Sequence, residues 1–301
     1  MSSNNDKTYY KTIRERPVHL CAKGQGQGQP LNFSPVRALE ERQPKKRLPL
    51  LESGGYLPRD LRNIHACIDG LIEGPESIDA LKNKWEPELV QHYEPDSLGY
   101  VWAALASFGL AAPLVEDATV RLASCFIRCV LNYGQRRDKT GPVLCFRDER
   151  RTYSYAEGKK QIHAVDDGSI RLMDPVNTSQ HVAMLEVKRT FEKVIEGDPS
   201  VSDELLAQMV GETLALRCGD IEPVSQTDFI TILAVTHFVR FFHFHISDDF
   251  YRSYQELLAN NSDNLAGFLR IDSTVWLDIK KREHREDIAS HILALVAWAK
   301  D

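Results

Sequence analysis

At 301 residues with 43% hydrophobic content, the chain is long enough for one substantial core and a tail. Its net charge of −6 hides an asymmetry: residues 1 to 55 hold ten Lys and Arg against five Asp and Glu, and the remainder carries 27 against 38. So acidic a body excludes nucleic-acid binding by bulk positive charge, and any nucleic acid must be held by a local patch, by metal ions or by the tail.

The N-terminus MSSNNDKTYYK lacks the apolar centre of a secretory signal, so an intracellular protein is expected. Residues 1–54, with GQGQGQP and RQPKKRLPL and few periodic apolar positions, read as a flexible basic tail. Lys45-Lys46-Arg47 after Pro44 suits either a nuclear import receptor or a solvated linker. Residues 55–301 read as one domain. Its first part is helical: 57–73, 77–93, 98–111 and 116–134 all place apolar residues three and four apart. The longest apolar run, SLGYVWAALASFGLAAPLV, is broken by Gly and Pro, so no membrane partner is expected.

From 142 to 190 the pattern turns to short β segments, PVLCFRD, RTYSYA, KQIHAVD, SIRLMD and HVAMLEVKR, separated by Gly, Asp and Asn turns. A helix is predicted over about 202–217, started by Ser202. Two strands, DFITILAVTH and FVRFFHFHIS, precede the helix DDFYRSYQELLANN, a mixed segment GFLRIDSTVWLDI and a last amphipathic helix ending in ASHILALVAWAK. Helices at both ends around strands predict an α/β sandwich on a central mixed sheet. The six cysteines include no Cys-x-x-Cys pair, which fits reduced core thiols.

The chemistry-bearing positions cluster around HVAMLEVKRT. Alternate strand residues share a face, so Glu186 and Lys188 point one way while Leu185 and Val187 turn to an apolar core. Asp166 and Asp167 precede Gly168 at the end of a neighbouring β segment, and a hairpin-like pairing brings Asp167 within reach of Glu186. Two carboxylates and a lysine can hold a hard divalent cation and orient a water on a phosphate. Each has a plainer reading: a solvated ion pair for Glu186 and Lys188, a turn residue for Asp167, a favourable first-turn charge for Glu116. Gln208 and Glu212, at i and i+4, share a helix face. His243 and His245 lie on one strand face, but Phe241, Phe242 and Phe244 between and beside them argue for a buried or half-buried strand whose histidines are hydrogen-bonded or exposed at its edge, rather than for a zinc site. There is no Gly-rich Lys-Ser/Thr loop and no Gly-x-Ser-x-Gly elbow.

In order, Glu116, Asp167, Glu186-Val187-Lys188 and Gln208 resemble the motif residues of the PD-(D/E)XK nuclease superfamily, and in particular its nuclease-like domain proteins of fungal type. That superfamily usually writes its first Asp after Pro, where this chain has Val165-Asp166, so Asp166 and Asp167 remain alternatives, with the Asp-Gly step favouring Asp167. The resemblance implies a restriction-endonuclease-like fold and metal-dependent hydrolysis of a phosphodiester in nucleic acid, DNA ahead of RNA. It implies Mg²⁺ or Mn²⁺ held by Glu116, Asp167, Glu186 and the carbonyl of Val187, with Asp167, Glu186, Lys188 and Gln208 carrying the chemistry. Because the superfamily includes members without activity, a catalytically inactive nucleic-acid-binding or protein-interaction module is the alternative.

Overall fold

A computed structural model describes residues 18–22, 33–36, 67–75, 77–81, 84–109, 116–135, 142–157, 160–173, 179–195, 198–260 and 266–299. Within the segment expected as a tail, β1 (Val18–Ala22) and β2 (Phe33–Val36) are strands. The boundary at residue 54 and the basic cluster at 45–47 lie outside the described residues. The N-terminal flank is helical, as the spacing predicts, and breaks at positions the sequence dictates. Helix α1 covers 67–73. The periodic stretch 77–93 resolves into a 3-10 turn at Asp79–Leu81 and α2 (Glu86–His92). Pro87 has no backbone N–H and is tolerated in a first helical turn, which sets the start of α2 beside it. Helices α3 (Asp96–Ala106) and α4 (Glu116–Tyr133) follow.

Next in the chain come β3 (Val143–Arg147), β4 (Thr152–Glu157), β5 (Lys160–Val165), β6 (Gly168–Met173) and β7 (Ser179–Lys188). A short ribbon, β8 (Lys193–Ile195) with β9 (Asp198–Ser200), leads into α5 (Asp203–Cys218). The predicted start signal of α5 is in place, since Ser202 Oγ accepts from the Leu205 N–H at 3.0 Å. The chain then runs through β10 (Asp228–Val235), β11 (Phe238–Ile246), α6 (Asp248–Asn260), β12 (Leu269–Ser273), β13 (Leu277–Asp278) and α7 (Arg282–Trp298).

Seven of these strands form a central mixed sheet in the order β12-β11-β10-β7-β6-β3, with β13 on β11, and β1 and β2 extend it beyond β12. The pair β7–β10 is parallel, and the other described pairs of the sheet are antiparallel. A parallel pair needs a crossover, and α5 is that crossover, which is why it lies over β7 and β10.

Alternation along the strands divides the interior into two cores. Ala183, Leu185 and Val187 of β7, with Ile232 and Ala234 of β10, pack with α3, α4 and α7. Met184 of β7, with Phe229, Leu233 and Val235 of β10, packs with α5 and α6 on the other face. Each fully buried Leu, Ile or Phe contributes about 1.5–3 kcal/mol, so strand register is strongly specified. The ribbon β4–β5 stands outside the main sheet and adds Tyr153 and Ala164 to the α5 core. Helix α5 is therefore covered on two sides, and polar residues on it, Glu212 among them, are buried.

One expected pairing is corrected. The segment KQIHAVD was to pair with the strand carrying Glu186; instead β5 pairs with β4, and β6, which begins at Gly168, pairs with β7. Asp167 still reaches β7, as the residue that leads into β6. Gly168 sits at φ +153°, and a Cβ there would lie 2.7 Å from Phe146 Cζ, so the position needs glycine.

Candidate active site

The C-terminal end of β7 is where charge enters the interior. Residues 181–187 are all buried, and Glu186 is 2% exposed. Leu185 and Val187 turn to the α4 and α7 core as predicted, which leaves Glu186 and Lys188 facing α5. Lys188 Nζ donates to Glu186 Oε1 at 2.7 Å. From α5, Gln208 Nε2 donates to the same oxygen at 2.8 Å and to Glu212 Oε1 at 2.8 Å. The second oxygen of Glu212, Oε2, is buried with no hydrogen-bond partner.

Asp167 joins this set through the backbone. Its Oδ2 accepts the Val187 N–H at 2.9 Å, and its own N–H donates to the Leu185 carbonyl at 3.0 Å. Its Oδ1 lies 3.0 Å from Arg150 Nη2. The same Arg150 nitrogen is 3.8 Å from Glu116 Oε1, on the first turn of α4. Asp166, the alternative, serves another purpose. It is buried, takes the Tyr153 hydroxyl on Oδ2 and the Arg151 N–H on Oδ1 at 2.8 Å, and so ties β4 to the start of β6.

Electrostatics follow from burial. The Glu186 carboxyl is raised above its usual range because burial, with the Asp167 charge added, outweighs Lys188 and Gln208. Burial first, and the Glu186 charge second, push Glu212 up to about 8, so it carries a proton at neutral pH. Burial disfavours the Lys188 ammonium, but the hydrogen bond to Glu186 and the charges of Glu186, Glu116 and Glu212 hold it above its ordinary value.

Of the residues picked out by sequence, the structure gathers Asp167, Glu186, Lys188 and Gln208, with the Val187 backbone between them. Glu116 stands at the rim, its side chain 44% exposed, joined to the rest through Arg150 and through its charge on Lys188. Arg150 carried no signal in the sequence, because it lies in the irregular run between β3 and β4. Glu212 was marked only by its spacing from Gln208.

Asp167 and Glu186 offer hard oxygens from adjacent strand ends. Among the described residues no group of three or more His, Cys, Asp or Glu side chains could hold a metal by itself. Two carboxylates are a donor set of the kind that Mg²⁺ and Mn²⁺ take when water and phosphate complete the shell.

At the opposite end of β10, His243 Nε2 and His245 Nδ1 lie 2.8 and 2.9 Å from Asp228 Oδ1. The histidines are hydrogen-bonded and also partly exposed, so both placements left open by the sequence hold. Among the described residues no helix is long and apolar enough to cross a membrane. No protein-family model matches the chain, and no curated protein matches it.

Proposed function

We propose that the chain is a Mg²⁺- or Mn²⁺-dependent nuclease of the PD-(D/E)XK type, hydrolysing phosphodiester bonds in nucleic acid, DNA ahead of RNA. The observation that carries this reading is the meeting of Asp167, Glu186 and Lys188 at adjacent strand ends, with Gln208 bonded to Glu186. The site lies at the C-terminal end of a parallel strand, where open α/β sheets leave a crevice for ligands.

Asp167 and Glu186 hold the cation. Once bound, it supplies charge against the scissile phosphate and makes a water more acidic. Lys188 orients the attacking water and stabilises the negative charge that grows on the phosphate oxygens. Gln208 fixes the Glu186 carboxylate, and Arg150, 56% exposed, is placed to leave Asp167 for a substrate phosphate.

A second reading is a nuclease-like binding or interaction module without turnover. Its support is that Lys188 and Arg150 already sit on the two carboxylates, on an acidic body. The discriminating experiment is cleavage of a panel of DNA and RNA substrates with Mg²⁺, with Mn²⁺ and with chelator, on wild type and Glu186→Ala, beside Mn²⁺ calorimetry. Metal-dependent cleavage lost in Glu186→Ala supports the nuclease; nucleic-acid binding without metal-dependent cleavage leaves the module.

A further inference from the structure

The two amide hydrogens of Gln208 are both engaged by carboxylates, Glu186 Oε1 and Glu212 Oε1, each at 2.8 Å. Glu186 Oε1 also takes Lys188 Nζ at 2.7 Å. Three hydrogen bonds thus run in series from Lys188 to Glu212. At the end of the series Glu212 Oε2 has no partner, in a residue only 4% exposed. While Glu212 is neutral its proton can occupy that oxygen; once the proton is lost, a buried carboxylate oxygen without a donor is unfavourable, and its place in this cluster calls for one. Lys188 is the flexible donor of the cluster, and the Glu212 charge reaches its ammonium.

An ammonium and a divalent cation on one buried carboxylate repel each other strongly, because little water lies between them to screen the charges. We propose that Glu212 is a positioning residue for Lys188: when a divalent cation is bound at Asp167 and Glu186, Lys188 passes from Glu186 Oε1 to Glu212 Oε2. The hand-off rests on the metal-dependent reading above. Gln208 stays as the fixed bracket between the two carboxylates, so the ammonium changes acceptors without leaving the site. Glu212→Gln is nearly isosteric and leaves Lys188 on Glu186 in the absence of metal, but removes the charged acceptor it moves to.

The test is acetylation of Lys188 by acetic anhydride at about pH 9, above the Glu212 value of about 8 so that this residue is the charged acceptor, followed by mass spectrometry on the full chain with and without saturating Mg²⁺. Wild type is expected to keep Lys188 equally protected in both conditions. Glu212→Gln is expected to match wild type without Mg²⁺ and to label about tenfold faster with it, the equilibrium worth of one charge-assisted hydrogen bond. Glu212→Asp, which keeps an acceptor at shorter reach, falls between the two and carries the test alone if the glutamine variant does not fold. Equal response to Mg²⁺ in wild type and both variants overturns the hand-off, as does fast labelling of Glu212→Gln without Mg²⁺, which marks a merely structural role. Mn²⁺ calorimetry on wild type separates the two failures: no binding there overturns the metal-dependent reading itself, and the hand-off with it.

Discussion

Val187 donates its backbone N–H to Asp167 Oδ2, so the peptide that separates Glu186 from Lys188 also aims the carboxylate of the neighbouring strand. Asp167 returns the bond through its own N–H to the Leu185 carbonyl. Two strand ends are thereby locked side by side. The distance between the acidic groups is set by backbone, which varies less than any pair of side-chain rotamers.

Adjacent aspartates are expected to give opposite phenotypes. Asp166→Ala leaves the Tyr153 hydroxyl and the Arg151 N–H without their buried acceptor and should cost about 1–3 kcal/mol of stability. Its Mn²⁺ affinity should stay close to wild type. Asp167→Asn should do the reverse, keeping most stability and losing cation affinity, because it removes a charge at constant shape. Urea unfolding and Mn²⁺ calorimetry on both variants decide the matter, and equal metal loss in the two would remove Asp167 from its special place.

Lys188→Ala should lower the rate of cleavage by about 10²–10³ while Mn²⁺ affinity holds or improves, since the ammonium contributes charge to the reaction and competes for Glu186. Single-turnover cleavage beside calorimetry measures both. A variant that cleaves at the wild-type rate would mean that Lys188 only neutralises its neighbour.

Without divalent cations, Glu212 should set a pH dependence of stability. Its folded value of about 8 lies above the ordinary 4.5, so the folded chain holds a proton that the unfolded chain releases. The associated stability is full below 4.5 and is lost as pH rises through 8. Glu212→Gln has no such loss and should gain on wild type across that window in thermal melts with chelator. A constant difference between the two proteins at all pH values would contradict the assigned burial.

Asp228 should behave in the opposite sense. Burial works against its charge, but the Thr227 hydroxyl and then His245 and His243 hold its carboxyl down at about 2, below the ordinary 3.8. Its contribution is present above 3.8 and lost as pH falls through 2. Denaturation of wild type and Asp228→Asn should show a gap that is steady down to about pH 4 and closes below it; a gap that widens on acidification would reverse the assignment.

The sequence made β7 legible because its two faces differ in kind: apolar Ala183, Leu185 and Val187 on one side, Glu186 and Lys188 on the other. Ser202 and the apolar spacing around it marked α5 equally well. Pairing was harder. Nothing local says that β5 turns back on β4 and leaves Asp167 to open β6, because that choice is made by Tyr153 reaching Asp166 and packing in the α5 core. The strands β8 and β9, three residues each, are too short for a period to register. Arg150 was illegible for a related reason, since its two partners, Glu116 and Asp167, are brought to it only by the packing of α4 beside the sheet.

The alternation of β7 makes this strand its own proofreader. A single residue inserted or deleted ahead of Glu186 would rotate the carboxylate and the ammonium into the layer of Ile232, Ala234 and the α4 and α7 side chains, and would swing Leu185 or Val187 out among Gln208 and Glu212. Such a chain would lose its fold before it could lose its chemistry alone.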